Sequence, residues 1–300
     1  TCRIGVAPHE KGPKVFLDYD QVELDAAWNQ SAYAPTQNQI QSRFTTSTEA
    51  TIARLGKPLR FAYGPTPVEG LDVYPARKSN APIFVFVHGG RWLLTAAKDY
   101  GFPADLFVDR DVNYVVLDFI QADAAKGDLR IMVDQVRRAI AWTYQNADKF
   151  AGDRNRFYVG GHSSGGHSCG CAVVTDWTKF GVPADFIKGG LLMSGAFDLQ
   201  SARLSGPRSA YVAFDDDMVQ SLSPQLHMDK LRAPIIITYG TLETPEFQRQ
   251  SRELAAAVKA AGKQVELIEA KNFNHFEMCE SLGNPYGPNG LAARKLMNLA

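Results

Sequence analysis

The stretch FYVGGHSSGGHSCGC, residues 157–171, runs from β-forming side chains straight into five glycines, three serines, two histidines and two cysteines. A dinucleotide loop needs G-x-G-x-x-G and a P-loop ends in Gly-Lys-Ser/Thr, and neither spacing is present. A metal site fits poorly, because Cys169 and Cys171 are two apart and would point away from each other on a helix. His167 and Cys171 stand one helical turn apart, with no further ligand pair nearby. What fits is Gly161-His162-Ser163-Ser164-Gly165, a G-x-S-x-G turn between a strand and a helix. The central serine of such an elbow sits in strained backbone at the tip of a very tight turn. Residues two before and two after it approach so closely that small side chains are required. Gly161 and Gly165 meet that demand around Ser163. Centring the turn on Ser164 would put His162 at one of those places, and a histidine is too large. Ser163 is therefore the candidate nucleophile. The plainer alternative is a glycine-rich turn without chemistry, and the position between strand and helix weighs against it.

The flanking sequence alternates strand and helix patterns. IFVFVHGG is a continuous apolar run ending in Gly-Gly, as expected of a central strand buried on both faces, and NYVVLDF repeats the type. RFYVGG, IKGGLLMSGAF, PIIITYG and QVELIEA continue the series. PLRFAYG and LDVYPA, joined by PTPVEG, predict a hairpin at a sheet edge. Residues 128–150 carry apolar positions at helical spacing and predict an amphipathic helix of about six turns. PEFQRQSRELAAAVKAAG is a further helix ending in a C-cap glycine, and GLAARKLMNLA closes the chain. This spacing permits right-handed parallel crossovers and predicts one doubly wound, mostly parallel α/β domain over residues 58–300. Residues 1–57 read as an N-terminal helical extension that lies on a surface rather than forming core.

Composition narrows the partners. The 300 residues hold 32 basic and 32 acidic side chains, a formal net charge of zero, which argues against nucleic acid or an anionic membrane surface. No apolar run reaches the roughly 18–20 residues of a membrane-spanning helix. The four cysteines, Cys2, Cys169, Cys171 and Cys279, are too few for a disulfide scaffold. They leave the compartment open, with a lean to the cytoplasm. The chain starts at Thr1, so a removed leader stays open too, as does a homodimer.

A serine hydroxyl needs a base, an orienting acid and an oxyanion hole. On this kind of sheet the chain order is Ser, then Asp or Glu, then His. Of six histidines, only His227 and His275 follow the elbow by enough chain. His275 lies in the loop after the last strand, whereas His227, before a strand, belongs at the opposite end of the sheet. The acid should follow PIIITYG, where Glu243 comes directly off the strand end. Glu246 falls in the first turn of the next helix, where the helix dipole already gives it a structural role. The triplet Asp215–Asp217 reads as a solvated loop. VHGGRW supplies the second loop of an oxyanion hole, with amides from Gly89 and Gly90 joining that of Ser164. His88 reads as a structural hydrogen-bonder, and His162 and His167 as supports of the turn. Arg91 and Trp92, next to the loop, are candidate substrate contacts.

HGGRW (88–92), GHSSGGH (161–167), SGAFDL (194–199), LSPQLH (222–227), LETPEFQRQS (242–251) and NFNHF (272–276) together resemble the α/β-hydrolases of the HGG esterase/lipase type. They are most similar to the kynurenine formamidase (arylformamidase) branch, and YDQVELDAAWNQSAYAP near the start resembles that branch's N-terminal segment. The resemblance implies an α/β-hydrolase fold and a serine hydrolase with the triad Ser163, Glu243 and His275. It also implies N-terminal helices that cap the pocket, a small-molecule ester or amide substrate, and no metal or organic cofactor. Relatives commonly have Asp at Glu243 and an aromatic residue at Arg91. A cation there either favours an anionic ester or forms a surface ion pair, and the surface pair is the expectation. A carboxylic ester is the expected substrate, with an aryl formamide or other amide as the rival. A catalytically silent ligand-binding protein is the reading from another class.

Overall fold

The computed structural model describes residues 9–299, so Cys2 and the first eight residues of the N-terminal segment lie outside the described residues. Among the described residues eight strands make one sheet: β1 (Leu59–Ala62), β2 (Gly70–Tyr74), β3 (Ala81–Val87), β4 (Asn113–Leu117), β5 (Gly152–His162), β6 (Ile187–Met193), β7 (Ile235–Gly240) and β8 (Val265–Ala270). Their spatial order is β1-β2-β4-β3-β5-β6-β7-β8. β1 and β2 form the expected edge hairpin, with Leu59 opposite Val73, and β2 runs antiparallel to β4. From β4 to β8 every neighbouring pair is parallel. This is an α/β-hydrolase sheet. The strand order reverses around β3, which lies between β4 and β5. A crevice opens at such a switch point, outside the carboxyl ends of the strands.

Every residue of β3 and β4 is buried, as their unbroken apolar runs require of strands covered on both faces. Ile83, Val85 and Val87 pack into one hydrophobic cluster, and Phe84 and Phe86 into the other. The period-2 alternation of a strand thus feeds two separate layers. Each fully buried phenylalanine contributes about 2 kcal/mol by apolar burial.

Seven helices matter for the core and the site: α1 (Gln21–Ala27), α2 (Gln37–Leu55), α3 (Leu129–Gln145), α4 (Ser164–Val173), α5 (Pro245–Ala260), α6 (His275–Glu280) and α7 (Pro288–Leu296). α3 is shorter than its apolar pattern suggests. Its end is taken by Asn146, whose backbone and side-chain amides both reach Trp142 O, and a 3-10 turn follows over Ala147–Phe150.

The surface placement expected of the N-terminal helices needs correction. Leu24 and Trp28 belong to the first core cluster, and Ile40 and Phe44 to the second. Trp28 meets Phe247 edge-on at 5.2 Å and Phe44 stacks on Phe102 at 5.0 Å. A few large side chains, spaced across an otherwise polar background, anchor the segment without any apolar run. Asp215–Asp217 is solvated as expected, but it opens a helix instead of forming a loop. The Asp215 carboxylate accepts from Met218 N at the start of the helix Asp216–Leu222, and both Asp215 and Asp217 pair with Arg130.

Candidate active site

β5 runs into α4 with only Ser163 between them, at φ +59° and ψ −124°. An L-residue keeps such backbone only where the surroundings over-determine it. The clamp is visible on both sides. A Cβ on Gly161 would lie 2.2 Å from Gly165 O, and one on Gly165 only 2.0 Å from Val87 O and 2.4 Å from His88 O.

Ser163 Oγ stands 2.8 Å from His275 Nε2, and His275 Nδ1 stands 2.9 Å from Glu243 Oε2. All three residues are buried. His275 opens α6, where the Asn274 side chain caps the helix by accepting from the amides of Phe276 and Glu277. Phe247 and Phe276 meet its ring edge-on at 5.1 and 5.6 Å. The second Glu243 oxygen, Oε1, accepts from Gly240 N at 2.7 Å and from the Ser194 hydroxyl at 2.6 Å. With both oxygens committed, the carboxylate orients the imidazole so that Nδ1–H donates to it. Nε2 is left to accept from Ser163.

Glu246 turns away from this group. Its buried carboxylate accepts from Ser201 Oγ, Gln250 Nε2 and the Arg249 guanidinium, tying α5 to the short helix Leu199–Leu204. His227 hydrogen-bonds Gln220 O and takes no part in the site.

Ser194 escaped the sequence reading. It lies directly after β6 with φ +49°, and its N–H donates to Thr238 O at 2.8 Å. Its position at a strand end beside β7 was the available signal, yet serine alone does not announce a partner.

The His88–Gly90 loop follows β3 and passes close to the elbow: a Cβ on Gly89 would sit 3.0 Å from Ser163 Cβ. Gly90 has φ +117°, and Arg91, Trp92 and Thr95 also hold positive φ at +60°, +65° and +76°. Among the described residues no protein acceptor takes the amide of Gly89, Gly90 or Ser164. His88 steadies the loop, with Nδ1–H donating to Gly89 O at 2.8 Å and its ring stacked on Phe119 at 4.5 Å.

Trp92 corrects an expectation, because its side chain points into the core instead of contacting the cavity. It is buried, lies 6.4 Å from the Trp28 ring, and donates from Nε1 to His167 Nδ1 at 3.2 Å. Its positive φ turns the side chain inward. Arg91 does line a cavity of about 560 Å³ over Ser163 and His275, together with Trp28, Phe44, Arg208 and Phe247. The surface ion pair expected of Arg91 is not formed: among the described residues no carboxylate oxygen lies within 4.0 Å of its guanidinium.

Three buried histidines around the site are held neutral. His162 Nε2–H donates to His275 O at 2.9 Å, and His167 accepts from Trp92 at Nδ1 while Nε2–H donates to Leu222 O. Burial pushes the pKa of His167 from 6.5 down to about 4, and burial also lowers those of His88 and His162. In the unfolded chain these groups would bind protons below about pH 6.5, and in the fold they resist doing so. Stability therefore falls on acidification from about pH 6.5 to about pH 4, His167 alone accounting for about 3 kcal/mol. Urea midpoints measured across that range should decline steeply, and a flat profile would contradict the neutral assignment.

Residues 71–188 match the BD-FAE family model. The kynurenine formamidase of Danio rerio is 33% identical over 227 residues, covering 73% of this chain and 75% of that protein. The kynurenine formamidase of Salmo salar is 30% identical over 281 residues, covering 89% of this chain and 93% of that protein.

The chain belongs to the kynurenine formamidase family of α/β-hydrolases.

An esterase structure from Pyrobaculum calidifontis superposes on this family member with a TM-score of 0.67, covering 88% of the chain and 94% of the esterase at 18% identity, a likeness of fold. Like its relatives, this member of the kynurenine formamidase family is a hydrolase of small molecules. Among the described residues no helix is long and apolar enough to cross a membrane.

Proposed function

We propose that the protein hydrolyses carboxylic esters of small or aryl compounds through an acyl-enzyme on Ser163, with His275 as general base and Glu243 as the orienting acid. The observation that carries this reading is the unbroken hydrogen-bonded line from Ser163 Oγ through His275 to Glu243 at the floor of the cavity. As Ser163 Oγ attacks the acyl carbonyl, His275 Nε2 takes its proton and Glu243 stabilises the imidazolium. The amides of Gly89, Gly90 and Ser164 donate to the developing oxyanion, each donor being worth on the order of a hundredfold to a thousandfold in rate. Nε2–H then protonates the leaving alcohol. A water activated by the same histidine attacks the acyl carbon and releases the acid and free Ser163.

A second reading, hydrolysis of an aryl formamide such as N-formylkynurenine, is favoured by the family itself. The triad serves both reactions, the leaving group being an amine in place of an alcohol. Within residues 1–57, Asp25, Trp28, Gln30, Gln37, Gln41 and Phe44 line the cavity. This supports a cap role for that segment over a catalytic domain of residues 58–300.

Fluorophosphonate treatment followed by peptide mass spectrometry should place the adduct on Ser163, and an adduct on Ser164 or none would remove the assignment. A panel of short p-nitrophenyl esters, aryl amides and N-formylkynurenine then ranks the chemistries. Turnover of the formamide alone would reverse the order of the two readings.

The two glutamates separate cleanly. Glu243→Gln should lower kcat by roughly 10³- to 10⁴-fold, because an amide no longer stabilises the imidazolium and can impose the wrong tautomer. Glu246→Gln should instead lower the denaturation midpoint, since it uncouples Arg249 and Ser201 inside α5's packing. Equal kinetic damage from both would contradict the assignment of the acid.

A further inference from the structure

Among the described residues, three charged side chains other than histidine line the cavity above Ser163: Asp25, Arg91 and Arg208. Asp25 is already engaged, its Oδ1 accepting from Gly206 N and from Gln21 Nε2, both at 2.9 Å. Arg208 is only 7% exposed, and its partners are neutral. Nη2 donates to Trp28 O at 2.7 Å, Nη1 donates to Tyr211 Oη at 2.9 Å, and the guanidinium lies over the Trp28 ring at 5.6 Å. A guanidinium has five N–H donors, and these bonds use two of them while the residue lines the cavity. Among the described residues no carboxylate oxygen stands within 4.0 Å of Arg208 or of Arg91.

The two cations are also tied to each other and to the oxyanion loop. Tyr211 Oη accepts from Arg208 and donates to Arg91 O at 3.0 Å. Arg91 follows Gly90 directly and is held at φ +60°. Burial lowers the proton affinity of Arg208, and the nearby charge of Arg91 lowers it further. A buried cation without a counter-charge is costly, and a second cation beside it adds to that cost. An anion entering the cavity would relieve both.

We propose that Arg208 and Arg91 form a carboxylate-binding subsite, so that this hydrolase selects substrates carrying a carboxylate away from the bond that is cut. The inference rests on Ser163 as the nucleophile of the proposed function. It adds that an anionic group, held beside the oxyanion loop, orients the acyl carbonyl toward Ser163 Oγ. The aromatic walls from Trp28, Phe44 and Phe247 take the apolar body of the same substrate.

Paired substrates test it. Mono(4-nitrophenyl) glutarate against 4-nitrophenyl pentanoate places the carboxylate in the acyl part, and 4-acetoxybenzoate against phenyl acetate places it in the leaving group. In at least one pair the anionic member should be preferred in kcat/KM. That anionic-over-neutral ratio should fall roughly tenfold to a hundredfold in Arg91→Gln, as for loss of a hydrogen bond to a charged group, mostly through KM, and it should fall with added salt. Arg208→Lys, which keeps the charge, should retain more of the ratio than Arg208→Gln. Binding of benzoate and glutarate to Ser163→Ala, followed by calorimetry, reads the subsite without catalysis and should weaken in Ser163→Ala/Arg91→Gln. Ratios unchanged by Arg91→Gln, with no arginine-dependent binding of either anion, would overturn the subsite. Arginine-dependent binding without turnover of any ester or amide would uphold the subsite and overturn the hydrolytic role of Ser163.

Discussion

Ser163→Ala should lower kcat on ester substrates by on the order of 10⁵-fold, equivalent to about 7 kcal/mol of lost transition-state stabilisation. In the proposed mechanism, loss of Oγ removes the acyl-enzyme and leaves His275 only water to deprotonate. A residual rate above the uncatalysed reaction should persist, because the amides of Gly89, Gly90 and Ser164 remain in place for an oxyanion. The substitution removes one hydroxyl from a buried position and leaves the backbone clamp untouched, so the denaturation midpoint should move little. Pre-steady-state assays should show the burst of p-nitrophenol in the parent protein and its loss in the variant. Retention of the burst would assign the nucleophile elsewhere.

Gly165→Ala should be strongly damaging. The added Cβ would lie 2.0 Å from Val87 O and 2.4 Å from His88 O. Both are backbone atoms of the end of β3 and the loop that follows it, and neither can swing aside as a flexible side chain would. Either α4 shifts along its axis, carrying the Ser163 elbow out of line with His275, or the fold loses about 4 kcal/mol or more. Gly206→Ala is the matched control. Its added Cβ would meet nothing nearer than Asp25 Oδ2 at 3.4 Å, and its effect should be slight. Urea midpoints of the two variants, with activity measured on the folded fraction, separate the cases. A Gly165→Ala protein as stable and active as Gly206→Ala would refute the steric account of the elbow.

The contrast between these two glycines shows what the sequence conveys well. Around Ser163 the required contacts are local, because Gly161 and Gly165 sit two residues away on either side and the demand for a missing side chain follows from a tight turn alone. His275 and Glu243 are distant in the chain, yet each comes directly after an apolar strand run, and parallel crossovers deliver all such strand ends to one edge of the sheet. The sequence reading therefore selected the three residues that the fold brings within hydrogen-bonding distance.

Other parts of the site depend on contacts that no periodicity encodes. Ser194 reaches Glu243 across adjacent strands, and Arg208 reaches Trp28 O over 180 residues of chain. Trp92 points inward because of the left-handed backbone that follows Gly90, a conformation its side chain does not announce. The N-terminal helices look like surface when judged by apolar content, and Leu24 and Trp28 nevertheless enter the main core.

By itself, the sequence determined the class of the sheet, the strained serine, and the histidine and glutamate that line up with it. All of these follow from short-range sterics and from the direction in which parallel strands end. The tertiary structure alone decided which oxygen of Glu243 faces His275, which side chains wall the cavity, and that two arginines share it without a carboxylate partner among the described residues. Those outcomes depend on packing between segments far apart in the chain, where a buried charge or hydroxyl is defined by what surrounds it rather than by its neighbours in sequence.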